Sequence, residues 1–283
     1  MNIGTTNTTY SRYPLEVRYT KMREHGYTMC DFQLANTDDE VYSMNDAELR
    51  AYMKVQRDAA ESQGIGFSQL HGPWRWPPRD LTPEDRGERL EKMRRCLFMT
   101  SILGCPYMVI HPIMPYGTND IGSGNEQATW DLNVEFMSAL LETAHEYDVS
   151  IAIENMPMPN FSMASPEMML KFVNTLGDDR MQVCLDTGHS VICGVQPGDA
   201  VRMLGGRLKV LHVHDNNGRS DEHHPPYVCN SIDWEDFGRA LREVGFDGTF
   251  SYEFDGIAKF RDDVFEDACR MYVKLAKSII EAE

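Results

Sequence analysis

Residues 208–224 read LKVLHVHDNNGRSDEHH, and they join a buried strand to a dense group of metal-binding side chains. The apolar residues Val210, Leu211 and Val213 form the pattern of a strand that is buried on both faces. The polar residues that accompany and follow them are His212, His214, Asp215, Asp221, Glu222, His223 and His224. Burying such groups is costly unless a partner satisfies them, and a divalent ion suits mixed histidine and carboxylate ligands. We therefore expect a metal site where this strand ends.

Short apolar strands alternate with longer amphipathic segments on both sides of this stretch. The predicted strands are Asn2–Thr6, Met29–Leu34, Ile65–Leu70, Tyr107–Ile110, Ser150–Ile153, Gln182–Leu185, a strand that begins at Leu208, and Thr249–Tyr252. The predicted helices are Leu15–His25, Asp46–Ser62, Pro83–Leu103, Gln127–Tyr147, Ser165–Leu176, Pro197–Leu204, Asp233–Val244 and Asp262–Glu281. Eight such units predict an α/β fold, a (β/α)8 TIM barrel that forms a single domain over residues 1–283. An open doubly wound sheet is the alternative, but no G-x-G-x-x-G follows any predicted strand.

The composition narrows the class of protein. The chain has 27 Lys and Arg against 44 Asp and Glu, a net charge of −17 that argues against nucleic acid as the main partner. No apolar run approaches the length of a membrane-spanning helix, and the opening MNIGTTNTTYSRYP lacks the basic and apolar regions of a secretory signal. The seven cysteines include no C-x-x-C pair, so we expect reduced thiols and a cytoplasmic location. The sequence is compatible with a homo-oligomer but does not indicate one.

Polar side chains follow the predicted strands at their C-terminal ends, the face on which TIM barrels build their active sites. These residues are His71, His111, Glu154, Asp186, His212 and Glu253, with His189 one turn after Asp186. A single histidine or glutamate at a strand end is more often a hydrogen-bonded structural residue or a helix cap. Their joint occurrence on six strands nevertheless predicts a metal site.

Several phrases of the sequence resemble the xylose-isomerase-like barrel superfamily, which includes sugar and sugar-phosphate isomerases and epimerases and also endonuclease IV. The phrases are IAIEN (151–155), VCLDTGH (183–189), LHVHDN (211–216), DEHH (221–224) and SYEF (251–254). For the epimerases the resemblance implies one divalent ion that is bound by Glu154, Asp186, His212 and Glu253. For endonuclease IV it implies three zinc ions and nine ligands. Those nine residues are His71, His111, Glu154, Asp186, His189, His212, Asp221, His223 and Glu253.

In an isomerase or epimerase of a sugar or sugar phosphate, the ion stabilises an enediolate while carboxylates move a proton next to a carbonyl. Glu154 and Glu253 suit these catalytic roles because strands 5 and 8 place them across the barrel mouth. The resemblance implies that His189 holds a substrate hydroxyl and that an arginine follows the strand-7 histidine. Arg219 stands one residue later than that spacing, and a solvated loop charge explains it equally well. The histidine content favours Mn²⁺ or Zn²⁺, although Mg²⁺ and Co²⁺ are also compatible.

Three alternatives to this function stay open. One is a lyase or dehydratase that acts on a related sugar or keto-polyol. Another is an endonuclease IV-like phosphodiesterase with a multinuclear zinc site, but it needs a basic surface for phosphate contacts, and the sequence shows no continuous basic stripe. The third is a non-catalytic carbohydrate-binding protein with a structural metal, whose ion would be closed to further ligands.

The loop after His71 contains Trp74 and Trp76, which we expect to form one wall of a carbohydrate pocket. Packing of this loop on its own barrel is an equally good explanation. We expect Asn155, Asn216 and His214 to support the ligands through hydrogen bonds. We expect His214 to point away from His212, toward the helices.

Overall fold

The computed structural model describes residues 1–34, 40–74, 77–78, 80–254 and 256–281, and in these ranges strands alternate with helices. The strands are β1 Asn2–Thr6, β2 Met29–Gln33, β3 Gly66–His71, β4 Tyr107–Ile110, β5 Ser150–Glu154, β6 Met181–Asp186, β7 Leu208–His212 and β8 Thr249–Tyr252. The α-helices are α1 Leu15–His25, α2 Asp46–Glu61, α3 Pro83–Leu103, α4 Glu126–Tyr147, α5 Pro166–Leu176, α6 Thr187–Ile192, α7 Pro197–Leu204, α8 Trp234–Glu243 and α9 Asp262–Glu281.

The strands form one parallel sheet in the order β7-β6-β5-β4-β3-β2-β1-β8. Just beyond the end of β7, the barrel is closed by backbone hydrogen bonds around Val213. Val213 N donates to Ser251 O at 2.8 Å, and Glu253 N donates to Val213 O at 3.2 Å. The predicted single-domain TIM barrel is therefore confirmed.

Helix boundaries follow the capping residues that the sequence supplies. Asn45 caps α2 and Thr82 caps α3, and each forms a capping box with the acidic residue three positions later. The sequence did not predict α6, because six residues that include Gly188 show no helical periodicity, although Asp186 caps this helix. None of the described helices is long and apolar enough to cross a bilayer.

Buried side chains lie on both sides of the sheet. The large hydrophobic core packs the sheet against the outer helices. A smaller group lies inside the barrel. Each of its members stands two residues before a polar residue at the C-terminal end of a strand, so it lies on the same side of the sheet as that residue. This smaller group consists of Val109, Ala152, Cys184 and Val210. The strand ends above it are thus left for polar side chains.

Candidate metal centre and active site

Glu154, the last residue of β5, lies at the centre of a set of residues that we call the Glu154 cluster. Its members are His71, His111, Glu154, His212 and Glu253. Glu154 Oε2 lies 3.2 Å from His71 Nε2 and 3.1 Å from His111 Nε2. Glu154 Oε1 lies 3.1 Å from His212 Nδ1, which is 2.9 Å from Glu253 Oε2. The structure therefore brings together five of the residues that the strand ends suggested.

The charges in the Glu154 cluster depend strongly on one another. Burial raises the pKa of Glu154, but the neighbouring His212 and His111 outweigh it and hold this pKa well below its ordinary value. Burial lowers the pKa of His212, whereas Cys184, Glu154 and Glu253 raise it, and the net shift is well above the ordinary value. In the metal-free protein a proton on His212 therefore supplies positive charge between two carboxylates. One imidazole nitrogen and two carboxylate oxygens that converge in this way fit the ligand chemistry of Zn²⁺ or Mn²⁺.

Asp186 ends β6 and lies beside the Glu154 cluster. Its side chain caps α6 by accepting a hydrogen bond of 2.7 Å from His189 N. His189 Nδ1 lies 3.7 Å from Asp186 Oδ1 and 3.6 Å from Glu154 Oε1, so it connects the two carboxylates. The Asp186 carboxylate also lies 2.9 Å from His214 Nε2. An ion that used Asp186 as a ligand would therefore share this carboxylate with His214.

A second set of residues, which we call the Asp221 cluster, lies next to the first. Its members are His189, His214, Asp221 and His223. The Asp221 carboxylate lies 3.1 Å from His223 Nε2, 3.3 Å from His189 Nε2 and 3.7 Å from His214 Nε2. The rings of His214 and His223 stack with their centroids 3.9 Å apart. The nine residues of the endonuclease IV-like set thus lie in one connected network.

The carboxylates also control the histidines of the Asp221 cluster. Burial lowers the pKa of His189, but Asp186 and Asp221 more than offset it and raise this pKa to about 9. His223 behaves similarly: Asp221 and Glu253 overcome the effect of burial and raise its pKa to about 10. Both imidazoles are therefore protonated at neutral pH in the metal-free protein.

The position of His214 differs from the prediction. This side chain is fully buried, contacts the Asp186 carboxylate and stacks on His223, so the prediction that it points toward the helices is wrong. The physical reason is the period of a strand: side chains two residues apart lie on the same side, so His214 points to the same side as His212 and the prediction assigned it to the wrong face. Thr187 fixes the new direction, because its Oγ1 accepts a 3.0 Å hydrogen bond from His214 N and donates one of 2.7 Å to His214 O.

The two asparagines lie close to the ligands and bind the backbone. Asn155 Oδ1 accepts a hydrogen bond of 2.8 Å from Asp186 N, and Asn155 Nδ2 donates one of 3.1 Å to Asp186 O. Asn155 therefore holds the end of β6 in place. Asn216 Oδ1 accepts a hydrogen bond of 2.8 Å from Gly218 N and shapes the loop that carries Arg219.

A cavity of about 670 Å³ opens above the Glu154 cluster, a size typical of small-molecule sites. Trp74 lines it, with its ring centroid 4.5 Å from that of His111. Met158 and Arg219 also line it, and Arg219 is exposed. Trp76 lies outside the described residues. The cavity is large enough for a sugar-sized ligand beside the Trp74 ring and the Glu154 cluster.

Sequence reasoning missed two residues beneath the cluster, Gln69 and Asp31. Gln69 Oε1 lies 3.1 Å from His212 Nε2, and Asp31 pairs with Gln69 in the register of β2 and β3. The sequence signal that could have identified both residues is a polar residue within an otherwise apolar strand.

Comparisons with known proteins agree with this architecture. Residues 19–275 match the family described as xylose isomerase-like TIM barrel. A D-psicose 3-epimerase of Enterocloster bolteae is 26% identical over 68% of this chain, but the alignment spans only 62% of that enzyme. A solved D-tagatose 3-epimerase-like protein has a TM-score of 0.74 at 24% identity and covers 98% of this chain and 99% of its own.

A solved IolI protein with a bound zinc atom also has a TM-score of 0.74, at 18% identity, over 99% of this chain and 98% of its own. At these identities the likeness to solved structures shows the fold, and the match to the family model covers most of the chain. The chain belongs to the xylose isomerase-like TIM barrel family.

Proposed function

We propose that this protein is a divalent-metal-dependent epimerase or isomerase of a small sugar or sugar phosphate. The observation that carries the proposal is the position of His212 Nδ1, which lies 3.1 Å from Glu154 Oε1 and 2.9 Å from Glu253 Oε2. Two carboxylates thus flank one potential ligand atom at the floor of a cavity that Trp74 lines. The similarity to a D-psicose 3-epimerase supports a carbohydrate substrate.

The proposed ligands of one ion are Glu154, Asp186, His212 and Glu253. A bound divalent ion would supply positive charge that stabilises negative charge developing on substrate oxygens. The mixed nitrogen and oxygen donors favour Mn²⁺ or Zn²⁺, and the zinc atom in the IolI relative supports a divalent ion in this fold. Mg²⁺ and Co²⁺ remain compatible with the same donors.

Glu154 and Glu253 are the proposed catalytic residues. They approach His212 Nδ1 from β5 and from the end of β8, so they can serve two faces of a substrate carbon. Burial raises the pKa of Glu253, but His212 outweighs it and holds this pKa far below the ordinary value. Both carboxylates are therefore ionised at neutral pH, and each can accept a proton from the carbon next to a carbonyl.

His189, Trp74 and Arg219 are the proposed substrate-binding residues. His189 Nδ1–H donates a hydrogen bond of 2.8 Å to Asn155 O, which fixes the ring and leaves Nε2 on the side of Asp221 and the cavity. That nitrogen is placed to bind a substrate hydroxyl. Trp74 offers a flat apolar ring to a sugar, and Arg219 offers a cation to a hydroxyl or a phosphate.

A multinuclear phosphodiesterase is the second candidate, because the Asp221 cluster lies beside the Glu154 cluster and the two clusters, together with Asp186, include all nine residues of the endonuclease IV-like set. The number of metal ions per chain separates the two functions. One ion supports the epimerase, and three support the phosphodiesterase. A lyase would share the proton abstraction but release water, and a carbohydrate-binding protein would show no exchange of substrate protons.

The test is solvent-deuterium incorporation into a panel of ketoses and their phosphates, with Mn²⁺, Zn²⁺, Co²⁺ or Mg²⁺ added. We expect deuterium at one carbon next to the carbonyl, in recovered substrate and in its epimer, and only in the presence of a metal. Release of water from the labelled product would instead support the lyase. Absence of exchange with every sugar and metal would contradict the proposal.

A further inference from the structure

Asp31 and Gln69 place polar side chains inside the barrel, where branched apolar residues usually pack. Each residue is only 1% exposed, and they are direct register partners on β2 and β3. The Asp31 carboxylate accepts hydrogen bonds from the hydroxyls of Ser68 and Ser251. A carboxylate and an amide at this depth are costly to bury, so a network that satisfies both indicates a role beyond packing.

Gln69 connects this network to His212. Gln69 Oε1 lies 3.1 Å from His212 Nε2, and a carbonyl oxygen can only accept a hydrogen bond. Nε2 must therefore carry a hydrogen, and a neutral His212 must hold its lone pair on Nδ1. That nitrogen faces Glu154 Oε1 at 3.1 Å and Glu253 Oε2 at 2.9 Å. The contact with Gln69 thus turns the metal-binding lone pair toward the carboxylates.

Asp31 determines which end of the Gln69 amide faces His212. Burial raises the pKa of Asp31, whereas Ser251, Ser68 and its register partner Gln69 lower it, and the NH₂ group is the only part of the Gln69 amide that can donate to a carboxylate. The opposite amide orientation would set a carbonyl oxygen against the Asp31 carboxylate and an NH₂ group against the Nε2–H of His212. The orientation with Oε1 toward His212 is therefore the one that all three groups satisfy.

We propose that Gln69 is a positioning residue that makes Nδ1 of His212 the metal-binding nitrogen, and that Asp31 holds the Gln69 amide in the required orientation. This inference rests on the proposed function, because it requires an ion in the Glu154 cluster. Partners that orient a ligating histidine typically contribute a factor of about 10–100 to metal affinity.

The first experiment needs no variant of the network. In wild-type protein labelled with ¹⁵N-histidine, we would record imidazole nitrogen spectra without metal and with Zn²⁺, and assign His212 from the signal lost in His212→Ala. We expect Nε2 to keep its hydrogen in both states and Nδ1 to shift when Zn²⁺ binds. Zinc bound through Nε2 would overturn the inference and leave the proposed function intact, whereas failure of wild-type protein to bind Zn²⁺, Mn²⁺, Co²⁺ or Mg²⁺ would overturn both.

The second experiment uses Gln69→Met, which removes the acceptor with little change in volume. We expect Zn²⁺ affinity in calorimetric titration to fall about 10–100-fold and, at a pH high enough to deprotonate His212, both of its neutral tautomers to be populated. The matched control is Gln182→Met, because Gln182 is a buried strand glutamine whose amide donates to Asp179 O. Equal affinities in Gln69→Met and the control would overturn the inference.

Asp31→Asn tests the proposed role of Asp31 without removing the contact between Gln69 and His212. It also keeps the proposal testable if Gln69→Met does not fold. An asparagine no longer selects the orientation of the Gln69 amide. We expect a smaller loss of Zn²⁺ affinity, about threefold to tenfold, with a mixed tautomer signal from His212. An unchanged tautomer signal would overturn the role of Asp31.

Discussion

The Glu154 cluster and the Asp221 cluster use the same side-chain chemistry but are held in different ways. Glu154 is 1% exposed and ends a strand, and its histidine partners His71 and His212 also end strands. The Asp221 side chain is 33% exposed and lies in the long connection between β7 and α8. In that connection His223 has a φ of +48°, a conformation that non-glycine residues rarely adopt. Rigid strand ends favour a preorganised site, whereas the loop favours an adjustable one.

The largest predicted difference between the clusters concerns catalysis. We expect Glu154→Gln to lower kcat by about 10²–10⁴-fold, because it removes a general base, while the fold and most metal binding persist. Asp221→Asn should lower kcat by no more than about tenfold, since it alters substrate binding rather than proton transfer. For both variants, deuterium exchange would measure catalysis, circular dichroism would measure folding, and metal analysis would measure metal binding. Wild-type turnover in Glu154→Gln would remove this residue from the mechanism.

The next prediction concerns Gly188, which makes room for the Asp221 cluster. A Cβ at Gly188 would lie 2.1 Å from His214 Cε1 and 2.6 Å from Asn216 Nδ2, and both side chains are buried. We expect Gly188→Ala to destabilise the protein by about 1–3 kcal/mol in urea unfolding and to displace His214. Gly87→Ala in α3 is the control, because a Cβ there meets nothing within 4 Å, and it should be neutral or stabilising. Equal stabilities for the two variants would contradict the packing around His214.

A smaller effect is expected at Trp74, on the wall of the cavity next to the Glu154 cluster. Loss of its ring in Trp74→Ala should raise KM about fivefold and leave kcat nearly unchanged, because stacking contributes about 1 kcal/mol. Steady-state kinetics on the substrate found by deuterium exchange provide the measurement. An unchanged KM would show that Trp74 packs against the barrel and does not contribute to substrate binding.

A further prediction is that the stability of the metal-free protein depends on pH. The folded pKa values of about 9 for His189 and about 10 for His223 lie above the ordinary value near 6.5. Such groups stabilise the metal-free protein fully below the ordinary pKa, and this stabilisation is lost as the pH rises through the folded values. We therefore expect the free energy of unfolding to fall between about pH 6.5 and 10. Asp221→Asn should flatten this slope, and an identical slope would show that Asp221 does not hold these protons.

Metal binding should reverse the pH dependence, because a ligating histidine must lose its proton. At the proposed site that histidine is His212, whose pKa lies well above its ordinary value, so Zn²⁺ affinity is expected to increase with pH. Calorimetry in buffers of different ionisation enthalpy would report the protons released. Release of no protons would contradict binding at protonated histidines.

The sequence was sufficient to predict the barrel and the convergence of the candidate site residues. Strand and helix boundaries were mostly right within one or two residues, because buried strands, cap residues such as Thr82 and the eightfold alternation are local signals. Residues after the strands, including Glu154 and His212, were expected to converge, since the C-terminal ends of parallel strands share one face of a barrel.

The features that were predicted wrongly or missed depend mostly on contacts between residues that are distant in the sequence. The predicted direction of His214 was wrong because residues two apart along a strand share a face, so His214 lies on the same side as His212. Thr187 then holds the His214 backbone in place. Asp31 and Gln69 were missed because their partners, Ser251 and His212, lie on strands far away in the sequence. The pairing of Asp186 with His214 likewise required the fold to be known.

The most direct test of the metal centre is anomalous diffraction from crystals of the Mn²⁺-saturated protein. We predict one strong peak within about 2.0–2.4 Å of ligand atoms from Glu154, Asp186, His212 and Glu253, with a free position toward the cavity. A peak that is confined to the Asp221 cluster, or an ion that the protein encloses completely, would contradict the proposed catalytic centre.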